Sequence, residues 1–220
     1  MPLRRDARSN LERVLASAAA VFAAHGLDAT LADVAREAGV GVGTVYRRFA
    51  NKDDLIYEVY AARIRASEQL AADAAAATDS WAGFVEFFEM SIRQLATDRG
   101  LRELTMGGYT ERLGWARGSS PDGLAALIEE NHRTMGVHLT ALVRRAKEAG
   151  VLRADFEATD MMLLSMSVQS TIALGGGTHP DLYRRALGFI LDGLRPHRTR
   201  PTDLPTPALT DADLTQLRLH

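Results

Sequence analysis

Residues 30–52 read TLADVAREAGVGVGTVYRRFANK. Two short stretches with helical apolar spacing, 31–38 and 42–48, meet at Ala38-Gly39-Val40, where Gly39 supplies the positive φ that a sharp helix-to-helix turn needs. Thr30 with Asp33 makes a capping-box-like start for the first stretch. Ala35 is small where the two helices must approach closely. Val34, Val40, Val45 and Phe49 fall where they can close a small core with Leu11, Ala18 and Phe22 of a helix upstream. The layout is that of a helix-turn-helix. Its second helix then exposes Val42, Gly43, Thr44, Tyr46, Arg47 and Arg48. Glycine, threonine and valine allow close approach to bases, and threonine, tyrosine and arginine offer hydrogen bonds to phosphates or base edges.

Competing readings of this stretch fare worse. A helix-turn-helix also serves as a plain packing unit, but Tyr46, Arg47 and Lys52 together weigh against that use. Gly39, Gly41 and Gly43 mimic a phosphate-binding glycine loop, yet no strand pattern precedes them and no Gly-Lys-Ser/Thr follows.

Outward from this stretch, nearly every long segment has helical period and no well-delimited alternating pattern marks a strand, so the expected class is all-α. The spacing predicts helices over about 6–25, 31–38, 42–48, 52–77, 80–97, 101–113, 121–149, 160–174 and 181–195. Gly26, Gly39 and Gly150 are placed as stops, Asn51 with Asp54 as a cap, and Pro121 and Pro180 suit first turns. After Arg195 four prolines and several arginines crowd into a stretch that reads as a tail.

The chain has 220 residues, 46% hydrophobic and 25% charged, close to an ordinary globular composition and enough for one large domain or two small ones. With no cysteine, disulfides, thiolate zinc sites, iron–sulfur clusters and cysteine nucleophiles are excluded. The net charge of -2 carries no global basic signature, and residues 1–56, with eight Lys/Arg against seven Asp/Glu, are barely positive. Arg4, Arg5 and Arg8 before the Ala-rich run 14–24 imitate an export signal. However, Glu12 and Arg13 interrupt it, and Leu11, Val14, Leu15, Ala18, Val21 and Phe22 recur at helical spacing, so the expectation is an amphipathic helix in a cytoplasmic protein with no membrane partner.

The core AGVGVGTVYRRFANKDDL (38–55) resembles the DNA-binding domain of the TetR family of bacterial transcriptional regulators. The resemblance implies a three-helix helix-turn-helix domain over 1–51 and a larger helical effector-binding and dimerisation domain over 52–195, and composition adds the Pro-rich tail over 196–220. It puts Val42, Gly43, Thr44, Tyr46 and Arg47 at recognition-helix positions, with Tyr46 and Thr44 mainly on phosphates and Val42, Gly43 and Arg47 nearest the bases. Lys52 matches a lysine opening the fourth helix, where its ammonium and free backbone amides hold a phosphate. Gly41 departs from the serine often found as the cap there. The implied partners are a palindromic double-stranded operator, a second copy of the chain, and a small-molecule effector that releases a repressor from DNA.

The rest of the chain offers candidates for the effector. Leu124, Ile128, Asn131, Met135, His138 and Leu142 share one helical face, and its two polar members belong either to a satisfied core network or to a cavity that a ligand completes. Segment 160–174 is apolar nearly all round, as a buried central helix would be, with Met162, Met166 and Gln169 on one side and Met161, Leu164, Val168 and Ile172 on another. Phe84, Phe87, Phe88 and Trp115 are plausible apolar walls or ordinary core. The last two strong helices, with Leu187, Ile190, Leu191 and Leu194 on the second, take the positions where the resemblance implies a four-helix interface between two chains. Against an enzyme, the Glu129/His132 step lacks the second copy and inward carboxylates of a di-iron bundle, and His132 and His138 lie on different faces. No catalytic residue, metal or cofactor is expected.

Overall fold

The computed structural model describes residues 2–105, 123–175 and 178–196, and all regular structure among them is helical. The helices are α1 (Pro2–His25), α2 (Leu31–Glu37), α3 (Val42–Arg48), α4 (Lys52–Ala76), α5 (Ser80–Thr97), α6 (Arg99–Thr105), α7 (Leu124–Glu148), α8 (Asp160–Gly175) and α9 (Leu182–Leu194). The expected helix 101–113 is seen as α6, whose first turn starts two residues earlier; 106–113 lie outside the described residues, as do Trp115, Pro121 and the tail beyond Pro196. Gly26, Gly39 and Gly150 all carry positive φ where helices were expected to stop. No described helix is long and apolar enough to cross a membrane.

The described residues form two compact units, 2–68 with 97–105 and 123–134, and 69–96 with 135–175 and 178–196. In the first, α1 packs on α2 and α6, and α2 on α3. Ala18, Phe22, Val34, Leu55, Ile56 and Tyr60 are fully buried there, with the Phe22 and Tyr60 rings 6.4 Å apart. A buried carboxylate, Asp98, ties α4 to the start of α6. It accepts hydrogen bonds from the Tyr60 hydroxyl (2.8 Å) and the Leu101 N–H (2.8 Å) and pairs with Arg63. Burial, then the neighbouring Asp98 charge, pushes the Tyr60 hydroxyl well above the usual phenol range, so it stays a donor.

The second unit is organised around Phe84, which stacks on Trp81 at 5.8 Å and meets Phe156 edge-on at 5.9 Å. Phe87, Phe88, Ile92, Leu142, Met161 and Val168 complete its surroundings in one apolar core. At Gly83 the backbones touch: a Cβ there would sit 2.7 Å from the Ala74 carbonyl oxygen. Arg145 of α7 donates to the carbonyls of Ala75 and Ala77, closing the free acceptor end of α4 with a positive charge.

Two expectations about this unit are corrected. Helix α8 is buried on one face only: Met161 and Val168 point inward, Leu164 and Ile172 are partly buried against the same core, and Met162, Leu163, Met166 and Leu174 are between 46% and 61% exposed. Its uniform hydrophobicity therefore signals two apolar faces, not central burial. Leu187 and Leu191 of α9, expected between chains, are 3% and 5% exposed inside the protomer's own core, joined there by Leu194 and a partly buried Ile190. The exposed apolar residue of α9 is Phe189, at 58%.

Candidate nucleic-acid interface

Helix α3 has seven residues, too few to be stable by itself, so its neighbours must hold it. The entry to α2 is a reciprocal capping box: the Asp33 N–H donates to Thr30 Oγ1 (3.1 Å) and the Thr30 N–H to Asp33 Oδ2 (2.9 Å). Gly39, at φ +64°, turns the chain, and the Val40 N–H returns to the Ala35 carbonyl at 3.0 Å. Gly41 caps α3 in an extended conformation without a side-chain bond. Val45 and Phe49 then anchor the helix, 1% and 3% exposed.

That anchoring fixes what faces outward. Val42 (45%) and Tyr46 (58%) are exposed, as are Gly43, Arg47 and Arg48, with Thr44 half-buried. The Arg47 guanidinium donates to Thr44 Oγ1 at 3.1 Å, which orders both side chains along the outer face. The Arg48 guanidinium lies 5.7 Å from the Phe49 ring centroid, covering the apolar anchor while keeping its charge at the surface. Lys52 opens α4 as expected, but its Nζ donates to the Leu27 carbonyl at 2.7 Å. The surface thus offers two exposed guanidinium groups and a phenol, and at three glycines in and after the turn, Gly39, Gly41 and Gly43, an added Cβ would meet nothing.

The candidate effector residues divide. Phe84 and Phe88 are fully buried in the second unit's core, Met135 is packed against it, and His138 and Gln169 are half-buried. Gln169 Nε2 is buried without a hydrogen-bond partner among the described residues. Met162 and Met166 face outward from α8, so they line no interior wall of a single chain. Asn131 belongs to the first unit, where its Nδ2 donates to Glu68 at 2.9 Å, the satisfied-core alternative. Trp115 lies outside the described residues. Among those residues no group of three or more His, Asp or Glu is placed to hold a metal ion.

Sequence reading missed Asp98 and Glu103, whose partners are distant in the chain. Asp98 had one local signal, its position three residues before Leu101 at a helix start, where an N-cap carboxylate belongs.

The chain matches the family model for bacterial regulatory proteins of the tetR family over residues 14–59, and that for the C-terminal domain of SbtR-like transcriptional regulators over 79–196. Among solved structures, a TetR transcription regulatory protein from Mycobacterium vanbaalenii is 31% identical, with 88% of this chain and 99% of that one aligned at a TM-score of 0.52. The TetR regulator SCO0520 from Streptomyces coelicolor is 26% identical over 85% of this chain and 99% of its own, at 0.56. An HTH-type transcriptional regulator of Staphylococcus aureus is 38% identical over 58 residues, which span 26% of this chain and only 31% of that protein.

The capping box gives the head a pH dependence. Hydrogen bonds from the Thr30 hydroxyl, then from its backbone N–H, and then from Arg36 lower the Asp33 carboxyl to about 2. An unfolded aspartate titrates near ~3.9. The depressed value means the contribution is complete above the unfolded pKa and is lost as pH falls through that range toward about 2. Carboxyl titration by NMR should place Asp33 well below the unfolded value, and Thr30→Ala should return it toward that value; an unshifted Asp33 in the wild type contradicts the box.

Proposed function

The chain belongs to the TetR family of bacterial transcriptional regulators, and from that premise we propose that two copies bind a palindromic operator through α3 and leave it when a small molecule binds the helical body. The observation that carries this reading is the division of α3 into a buried face of Val45 and an exposed face of Val42, Gly43, Tyr46 and Arg47. A two-turn helix reads only a few base pairs, so a two-fold pair on matching half-sites is needed for useful specificity.

In this reading Val42, Gly43 and Arg47 approach base edges, and Thr44, Tyr46 and Arg48 engage phosphates. Lys52, at the start of α4, adds a positive charge beside a phosphate. The second copy covers the outward apolar faces of α8 and α9, Met162, Leu163, Met166, Leu174 and Phe189, whose exposure in one chain supports such a partner. The effector site draws on Phe84, Phe88, Met135, His138 and Gln169. The unpartnered Gln169 donor supports a ligand bearing a hydrogen-bond acceptor. Among solved structures of the same fold, one 19% identical is a complex of SmeT with triclosan. Repression follows from the family's usual sign of control.

Tyr46→Ala should weaken binding to every duplex with little change in its salt dependence, because it removes a hydrogen bond to phosphate but no cationic charge. Arg47→Ala should cost about 1–3 kcal/mol and relax preference at one base position per half-site. Gel shift against a duplex enriched from a random pool reads both, and unchanged affinity in the two variants contradicts the assignment of α3.

For the dimer, Phe189→Glu should yield folded monomers in sedimentation, whereas Leu187→Glu should unfold the chain, because it buries a charge in the protomer's own core. A Phe189→Glu protein that stays dimeric contradicts the proposed face.

A further inference from the structure

We propose that Glu103 is a positioning residue for DNA binding: from α6 it fixes the turn between α1 and α2, and with it the orientation of α3, without touching DNA. The inference rests on the reading of α3 as the recognition helix. Leu27, in that turn, is fully buried, and neither of its backbone groups belongs to a helix. Buried backbone groups need partners, and here both come from charged side chains. Glu103 Oε2 accepts the Leu27 N–H at 2.8 Å, and Lys52 Nζ donates to the Leu27 carbonyl at 2.7 Å. Arg99, one turn before Glu103, donates to its other oxygen at 2.8 Å and sets the carboxylate's direction.

The surroundings leave this clasp no slack. Gly26, at φ +79°, presents its open side to the same groups, and a Cβ there would sit 2.6 Å from Glu103 Oε1 and 2.7 Å from Arg99 Nε. Gly100 lets α6 lie against α1, where a Cβ would come within 3.0 Å of the Phe22 carbonyl. Beyond the clasp, α2 and α3 are joined by the Gly39 turn and a shared core, so they move as one piece. The α1–α2 turn is therefore the place where that piece can swing, and α6 with the start of α4 holds it on both sides.

Removing the carboxylate leaves a buried N–H unpaired and frees the swing. Against a duplex enriched by the wild type from a random pool, Glu103→Ala should bind about tenfold more weakly, the scale of one charged hydrogen bond. It should also lose most of its discrimination against the same duplex with one base pair inserted between half-sites. Glu103→Gln keeps an acceptor for Leu27 and should restore both properties, and hydrogen exchange should show the Leu27 amide protected in the Gln but not the Ala variant. Should Glu103→Ala not fold, Glu103→Asp, which retracts the carboxylate by one methylene, takes its place with the same readouts. A folded Ala or Asp variant that keeps wild-type affinity and spacing discrimination overturns the proposal while leaving α3 as the DNA surface. A wild-type protein that enriches no duplex removes both.

Discussion

The burial of Val45 and Phe49 is the constraint on which the rest of the first unit depends. Seven residues cannot nucleate and hold a helix in water, so α3 exists because its inner side chains complete a core already built by Phe22 of α1 and Val34 of α2. Loss of either anchor would remove the helix as well as a contact. The same burial dictates rotation about the helix axis, and rotation decides which residues reach solvent. The exposure of Val42, Gly43, Tyr46 and Arg47 is thus a by-product of where two apolar residues point. Short polar devices, the Thr30–Asp33 box and the Gly39 turn, set direction but do not supply the burial.

Polar groups do a second kind of work at the junction of α1, α4 and α6. Asp98 is almost completely buried and accepts from Tyr60, Arg63 and the Leu101 N–H, so its charge is matched from three sides. Glu103 and Lys52 similarly satisfy Leu27. A buried ionic group contributes less to stability than an apolar replacement of the same shape. What it gives instead is geometry, because each partner has one place to be. That fits a unit whose use is to present a surface at a defined orientation. In the second unit the core is aromatic, with Phe84 in contact with both Phe88 and Phe156.

Most of the architecture is legible in the chain because helical period and end signals are local. Gly26, Gly39 and Gly150 stop helices through positive φ, which needs no tertiary knowledge, and the 30–52 stretch carries its own turn, cap and core pattern. Faces with one apolar side are equally readable: Val45 inward and Tyr46 outward follow from spacing alone. The chain is least informative where apolar residues cover two faces. In α8 and α9 hydrophobicity cannot say which apolar residue meets its own core and which stays exposed: Leu187, expected between chains, is buried in its own core, while Phe189 is exposed. Polar seams are ambiguous for the same reason. Asn131 finds Glu68, 63 residues earlier, while Gln169 finds nothing among the described residues, and no local rule separates the two. Glu103 lies 76 residues from Leu27, beyond any spacing argument.

In the proposed reading the outward face of α3 is the surface this chain turns toward DNA. The most direct measurement is backbone amide chemical-shift mapping of the wild-type protein during titration with its enriched duplex. The largest changes should fall on residues 42–48, with Leu27 and the start of α4 next, while the outward faces of α8 and α9 stay unmoved. Changes concentrated on α8 and α9, with α3 unperturbed at saturating duplex, would contradict it.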